Sequence, residues 1–529
     1  MPRPFTASEL VAADLDWLLD LPWGGQVYRF GSRAVTVNND DGEALRYAGQ
    51  MGEIAVDLGF DLLSDSPDVL SIPLQVYFQQ GVDVAALVES GRDLAAATGE
   101  LCLWIVGTTY ENRRRILIGN VSEPEYGAPG EPVSFTLEDL PYEDRAIIPA
   151  ANLTISGDTF ASLPNDNNDT QPYPIVFGEP GAFAKTDGTA GTTRGSSAFV
   201  LSTAAGVETL LLAGHHVKAS TVKIRDATGK NSQDGVTVSN TIDALGSPIA
   251  TAINVNLGGI DNEYYAIWNN GGGIANRYND GSLSGGGELL RYVLGLSSLR
   301  VDAGKTAAAE GLLNQYRFAG YIDDSVSPWE WLQDNVLPLL PLSIANGPDG
   351  VYPIVWRLDA KAGDAAAHLD ASKHIERAGP VTYNRRDVVN ELSLSFAYDA
   401  ERGIYKRKIT LSGDGSDLSL SDVYTNAYAR VSQMRYGKSS NTLETDIVYD
   451  QNTAEKILNW KIRASAFPSR AITYTAPASM AWLQRGDVVT LTDSDLSLSS
   501  QVALVQSVSI RLSSLSVTLL INEDPFREL

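Results

Sequence analysis

Short apolar runs alternating with polar residues, cut off by Gly, Pro, Asn or Asp, recur from residue 27 to residue 520 and commit most of this chain to β-structure. Val27-Tyr-Arg-Phe30, Ala34-Val-Thr-Val37, Leu392-Ser-Leu-Ser-Phe396, Ile472-Thr-Tyr-Thr475 and Val488-Val-Thr-Leu491 carry the pattern. Successive side chains of a strand point to opposite faces, so each run buries one face. Further strands are expected near Leu70 to Tyr77, Leu101 to Thr108, Arg115 to Val121, Ser197 to Leu201, Glu208 to Leu212, Val351 to Trp356 and Val502 to Leu520. The turns Gly31-Ser32 and Asn38-Asn-Asp-Asp-Gly42 join the first strands into a β-meander.

Helices interrupt this pattern. Thr6 and Glu9 have capping-box spacing, and Val11, Leu15, Leu18 and Leu19 follow at helical intervals, predicting a first helix that stops before Pro22. Others are expected around Val82 to Val88, over Glu288 to Leu294, and from Ser327, where Pro328 and Glu330 make a start signal, to a stop before Pro338. A last one spans Thr453 to Ile462, with Ala454, Ile457, Leu458 and Ile462 on one face. A chain of 529 residues exceeds what one core serves. The expected fold class is α+β, mostly β, with β-barrel-like domains and smaller α/β middle domains. The expected units are 1–150, β-rich; 151–287, β-rich and Gly-rich; 288–378, small α/β; and 379–529, β-rich again. The polar stretch 164–171 and the glycines around Gly271 to Gly273 read as connections.

Acidic residues outnumber basic ones 65 to 40, a formal net charge of -25. Such a surface repels phosphate backbones and suits a protein that DNA slides past without sticking. The first ten residues lack the apolar stretch of a secretory signal, and no apolar run approaches the roughly 20 residues of a membrane span, so a cytoplasmic product without a membrane span is expected. The single cysteine, Cys102, lies in an apolar run and reads as a small buried residue.

Motifs that could carry chemistry fail on particular residues. Ala303-Gly-Lys-Thr306 ends like a phosphate-binding loop, but Leu299 stands where the first glycine belongs, and Thr306 reads instead as a helix N-cap. Asp166 to Asp169 opens like a calcium loop, but Gln171 occupies the turn-glycine position. His215 and His216 are adjacent and point apart in a strand, and His368 and His374 are six apart. Asp323-Asp324 and Glu143-Asp144 read as turn residues. Arg113-Arg-Arg115 reads as a solvated hairpin tip, with a salt bridge to a neighbouring subunit as the alternative. No catalytic, metal-binding or cofactor-binding residue is expected, and hence no enzyme.

Five C-terminal segments occur in a telling order: Gly379-Pro-Val-Thr-Tyr383, Asp387 to Leu394, Tyr449-Asp-Gln-Asn-Thr-Ala454, Arg470 to Ala476 and Leu483 to Asp493. With Tyr173-Pro-Ile-Val-Phe-Gly178 and Phe318 to Asp324, they make the chain resemble the tail-hub or tip proteins of tailed phages and of phage-like gene transfer particles. The resemblance covers about half the chain. It singles out Tyr173, Pro174, Gly178, Asn390, Tyr449, Asp450, Tyr474, Gly486 and Asp487 as structural positions. It implies a homotrimer at the end of the tail tube, with two tail-tube-like β-barrel domains from the two ends of the chain and a cone from the middle. The implied partners are a distal tail or tube protein, a tape measure protein, and a tail fibre or central tip protein, with genomic DNA passing through unbound. The implied location is the virion tail tip, after assembly in the host cytoplasm. A receptor-binding adhesin and a hexameric distal tail protein are the alternatives. Because the chain stops at Asp524-Pro-Phe-Arg-Glu-Leu529, soon after its last strand, host recognition is expected to lie with a docked fibre or central protein.

Overall fold

A computed structural model describes residues 14–59, 70–79, 82–128, 130–139, 144–163, 170–184, 190–193, 195–218, 221–226, 231–257, 264–268, 283–384, 388–399, 402–413 and 423–521. The expectations at Thr6 to Val11, Asp166 to Asp169, Gly271 to Gly273 and Asp524 to Leu529 lie outside these residues.

Leu15–Trp23 is a strand, not the end of a helix. It pairs antiparallel with Gln26–Gly31 on one side and with Thr98–Ile105 on the other. Both of its faces are covered. Trp17, Leu19, Leu21 and Trp23 enter the main core, while Leu18 packs outward with Val37, Tyr47, Cys102 and Trp104. A strand buried on both sides reads as an unbroken apolar run, and leucines within such a run match helical spacing by accident.

These strands belong to a closed barrel, in the order Leu15–Trp23, Gln26–Gly31, Gly49–Met51, Ser71–Tyr77, Val133–Asp139, Arg113–Tyr126 and Thr98–Ile105. Val35–Asn38 and Ala44–Tyr47 leave the expected meander to form their own two-stranded ribbon, which covers Leu18 and Trp104. A second closed barrel lies in the middle of the chain: Ser196–Ala204, Val207–Ala213, Pro248–Val255, Ser232–Ile242, Thr221–Asp226 and Tyr264–Trp268. The C-terminal strands build an open half-barrel. In it Ala367–Asp370, Val488–Asp493, Leu498–Ile510, Leu515–Ile521 and Ser469–Ala476 follow one another, with Glu376–Arg377 at the far edge.

The half-barrel is not separate from the first barrel. Val56–Gly59, from the N-terminal region, pairs with Leu498–Ile510, matching Val56 to Ile510 and Gly59 to Ser507. Side chains from the two units then merge into one core, where Leu101, Leu117 and Phe135 share a cluster with Ile472, Val489 and Leu519. The other large core joins the helices Gly286–Leu296, Ala303–Leu313, Pro328–Asn335 and Gln451–Ser465 to a sheet of Val423–Thr425, Ile404–Ser412, Glu391–Asp399 and Ser440–Glu444. The helix at Pro328 starts as its sequence signals, with Ser327 accepting from Glu330 N. The helix at Ala303 starts earlier than expected. Asp302, not Thr306, is its N-cap, accepting from Lys305 N at 3.0 Å.

Candidate functional site

The nine positions singled out by resemblance are spread through the fold. Tyr173 is buried and donates to Asp243 Oδ2 at 2.9 Å, and the Pro174 carbonyl accepts from Gly214 N at 2.8 Å. Asn390 ties down the helix Ala427–Tyr436 and the segment after it, donating to Ser432 Oγ and the Gly437 carbonyl and accepting from Ser439 N. Tyr449 is buried, and burial pushes its phenol pKa up. Asp450 caps the helix Gln451–Ser465 through Thr453 N at 2.8 Å. Tyr474 donates to buried Asp493 at 2.7 Å. Gly178 has φ +61°, and a Cβ there would sit 2.3 Å from the Phe318 carbonyl oxygen. Gly178→Ala is therefore expected to destabilise the protein by about 2 kcal/mol, through left-handed strain plus a backbone clash. Thermal unfolding beside the wild type checks this.

Gly486 and Asp487 frame a feature that the sequence did not disclose. Gly486 has φ +86°, and a Cβ on it would come within 2.5 Å of Ile354 Cγ2. Asp487 accepts from Gln484 N at 2.9 Å. The tight turn so formed aims Arg485 at three acceptors in two distant parts of the chain: the Gly59 carbonyl at 2.7 Å, and, in one hairpin, the Asn346 carbonyl and Tyr352 Oη at 3.0 Å. Burial opposes ionisation of the Tyr352 phenol, but the charges of Arg485 and Lys305 outweigh it and hold its pKa below the ordinary value. Lys305 lies 3.6 Å from the centre of that ring, so the lysine of the phosphate-loop look-alike is engaged with an aromatic face.

Around Arg485 opens a cleft of about 590 Å³, lined by the first barrel, the helical middle and the half-barrel. Arg113-Arg-Arg115 lies here, at the start of a strand and not at a solvated tip. Arg113 pairs with Glu100 at 3.0 Å and stacks on Tyr110. Arg114 is buried and donates to the Ala481 carbonyl at 2.6 Å. Arg115 pairs with Asp349 at 2.7 Å. Each arginine thus joins a different element of the same chain, and the basic run is spent on internal ties. The carboxylate of Asp144, likewise expected in a turn, spans two elements: it accepts from Ser298 N at 2.9 Å and from Trp329 N at 3.0 Å.

The second barrel is tied to the body through another carboxylate. Ser197, on its first strand, donates to Asp323 Oδ2 at 2.7 Å. Burial raises the Asp323 pKa, the Ser197 bond opposes this, and neighbouring Asp324 adds to it. Asp446 is raised as well, mainly by burial. A carboxyl whose folded pKa lies above its unfolded value stabilises the fold below the unfolded pKa, and that contribution is lost as pH rises through the folded one. Attachment of the barrel should therefore be firmer at mildly acidic pH than at neutrality. Asp323→Asn keeps an oxygen acceptor for Ser197 and removes the charge. It is expected to flatten this dependence and to stabilise the protein at pH 7 by on the order of 1 kcal/mol, as calorimetry across pH would register.

Among the described residues no group of three or more His, Cys, Asp or Glu gathers as a metal site, and no helix is long and apolar enough to cross a membrane. Cys102 is buried, and burial pushes its thiol pKa well up.

Residues 355–505 match the model of the family described as "Putative phage tail protein". No curated protein matches the chain. Among solved structures the chain is similar to a tail protein from Neisseria meningitidis, at 11% identity over 96% of this chain and 97% of that one, with a TM-score of 0.37. It is similar to the 43 kDa tail protein of prophage MuSo2 from Shewanella oneidensis, at 9% identity over 96% and 98%, with a TM-score of 0.38. It is also similar to a prophage tail protein from Listeria monocytogenes, at 8% identity over 97% and 96%, with a TM-score of 0.33. The likeness to phage tail proteins at the level of a family model is thus carried by residues 355–505.

Proposed function

We propose that this tail protein is a trimeric baseplate hub or tail tip, which joins the sixfold tail tube to threefold components and closes the tube before DNA ejection. One observation carries the reading: the first barrel and the half-barrel are fused through Val56–Gly59 and a common core. A chain that holds two β-modules rigidly together lets three copies offer six modules to a sixfold ring while keeping threefold symmetry on the other side. The net charge of -25 suits the wall of a conduit for DNA, since it repels the phosphate backbone. In this reading the chain sits at the virion tail tip after assembly in the host cytoplasm. It contacts a distal tail or tube protein, the tape measure protein, and a tail fibre or central tip protein.

The mass of the assembly tests the proposal. A trimer of the 56.8 kDa chain, about 170 kDa by native mass spectrometry, is the expected result. A hexamer would assign the protein to the distal tail position instead, and a monomer within particles would remove the symmetry argument.

A further inference from the structure

We infer that the cationic cleft around Arg485 receives carboxylates of a second copy of this chain, those of Glu123 and Glu125 at the far end of its first barrel. The inference rests on the trimeric reading of the chain. Six residues lining the cleft are Lys or Arg and three are Asp, which reverses the balance of 40 to 65 in the whole chain. The three Asp side chains are already engaged. Asp302 caps the helix Ala303–Leu313, Asp487 accepts from Gln484 N, and Asp349 pairs with Arg115 at 2.7 Å and lies 4.0 Å from Arg300. Arg485 donates to three neutral acceptors, and Lys305 Nζ stays 3.9 Å from Asp302. The side chains of Lys305 and Arg357 remain 36% and 34% exposed, and Arg357 pairs at 3.4 Å with Asp364, which does not line the cleft. The depressed pKa of buried Tyr352 registers the surplus of positive charge. Cations held partly away from water are stabilised by a counter-charge brought to them.

The strand Arg113–Tyr126 decides where that counter-charge comes from. It begins at the cleft, and Glu123 stands eight residues beyond Arg115, roughly 25 Å away at about 3.3 Å per residue. There Glu53, Glu123 and Glu125 lie together and exposed, and among the described residues no Lys or Arg lines the same surface. One rigid strand holds the two sites apart, so a copy cannot pair them within itself. Pairing between copies is head-to-tail, the kind of contact that closes a ring.

Nucleic acid fits the cleft less well. Charge is screened within about 8 Å at physiological ionic strength, so a short acidic strand end senses the cleft alone. A duplex would extend beyond it over the surface of a chain with net charge -25.

The test is native mass spectrometry of the full chain, with thermal unfolding of each variant alongside. Lys305→Glu with Arg357→Glu, and separately Glu123→Lys with Glu125→Lys, are each expected to lower the trimer fraction at least about tenfold, because each sets like charges against one another. All four substitutions together reverse both partners and are expected to restore the trimer. A trimer that survives both pairs, or a folded fourfold variant that does not reassemble, overturns the docking and leaves the trimeric reading intact. Should the cleft pair unfold the chain, Glu123→Lys with Glu125→Lys decides alone, and persistence of the trimer overturns the docking. A hexamer that both pairs dissociate and the fourfold variant restores overturns the trimeric reading and supports the docking, whereas a monomeric wild type overturns both. A fluorescent DNA duplex is expected to stay unbound. Binding that the cleft pair abolishes would overturn the second copy in favour of nucleic acid.

Discussion

Replacing Arg485 by methionine is expected to destabilise the protein by on the order of 4 kcal/mol. The guanidinium serves the Gly59 carbonyl, the Asn346 carbonyl and Tyr352 Oη at once, and these acceptors come from two regions of the chain, the strand Val56–Gly59 and the hairpin that joins Leu342–Ala345 to Tyr352–Val355. A hydrogen bond from a charged donor contributes roughly 1.5–3 kcal/mol, and leaving a buried acceptor without one costs about 1–3 kcal/mol. Full summation overshoots, because Arg485 is half-buried and water can replace part of what is lost. Methionine keeps the aliphatic stem, so the loss reports on the charged head. Urea unfolding followed by tryptophan fluorescence measures it, and a change below about 1 kcal/mol would contradict the role assigned to Arg485. An independent readout is Tyr352. Burial raises its pKa and Arg485 is the largest influence lowering it, so its phenol should titrate at higher pH in the variant.

Asp144→Ala is expected to cost about 3 kcal/mol. Its carboxylate accepts from Ala146 N, from Ser298 N and Oγ, and from Trp329 N, and it lies 3.4 Å from Ser327 Oγ. It thereby acts as a second cap on the helix Pro328–Asn335, beside the Ser327 cap, and pins the segment after the first barrel to the loop that follows Gly286–Leu296. The lost helix cap at Trp329 N is worth about 1 kcal/mol, and the bonds from Ser298 N and Oγ and from Ala146 N account for the remainder. Asp144→Asn keeps one acceptor oxygen and should lose less than half as much. Hydrogen exchange should show the effect concentrated at Ser298 and Trp329, and uniform exchange across the chain would speak against the clasp.

Local chemistry was legible in the sequence where a few neighbouring residues settle the outcome. The start at Ser327-Pro328, the helix face of Ala454, Ile457, Leu458 and Ile462, and the strands at Leu392 and Ile472 all follow from caps and periodicity within one element. The positions singled out by resemblance lie at turns, caps and buried hydroxyls, and Gly486 with Asp487 mark the turn that directs Arg485. Arg485 itself carried no local signal, because its acceptors stand 426, 139 and 133 residues away.

The same distance explains what was misread. Leu15–Trp23 matched helical spacing, and only the ribbon over its outer face and the barrel under its inner face made it a strand. Arg113-Arg-Arg115 and Asp144 looked like surface charge, since nothing adjacent in sequence reveals partners such as Ala481, Asp349, Ser298 and Trp329. The sequence by itself determined that this chain is mostly β, acidic and akin to phage tail proteins, because alternation, charge and short motifs are properties of neighbouring residues. Only the tertiary structure decided that Val56–Gly59 crosses into the C-terminal sheet and welds the two ends of the chain, because strand pairing and buried ion ties are chosen by contacts that form only once distant segments meet.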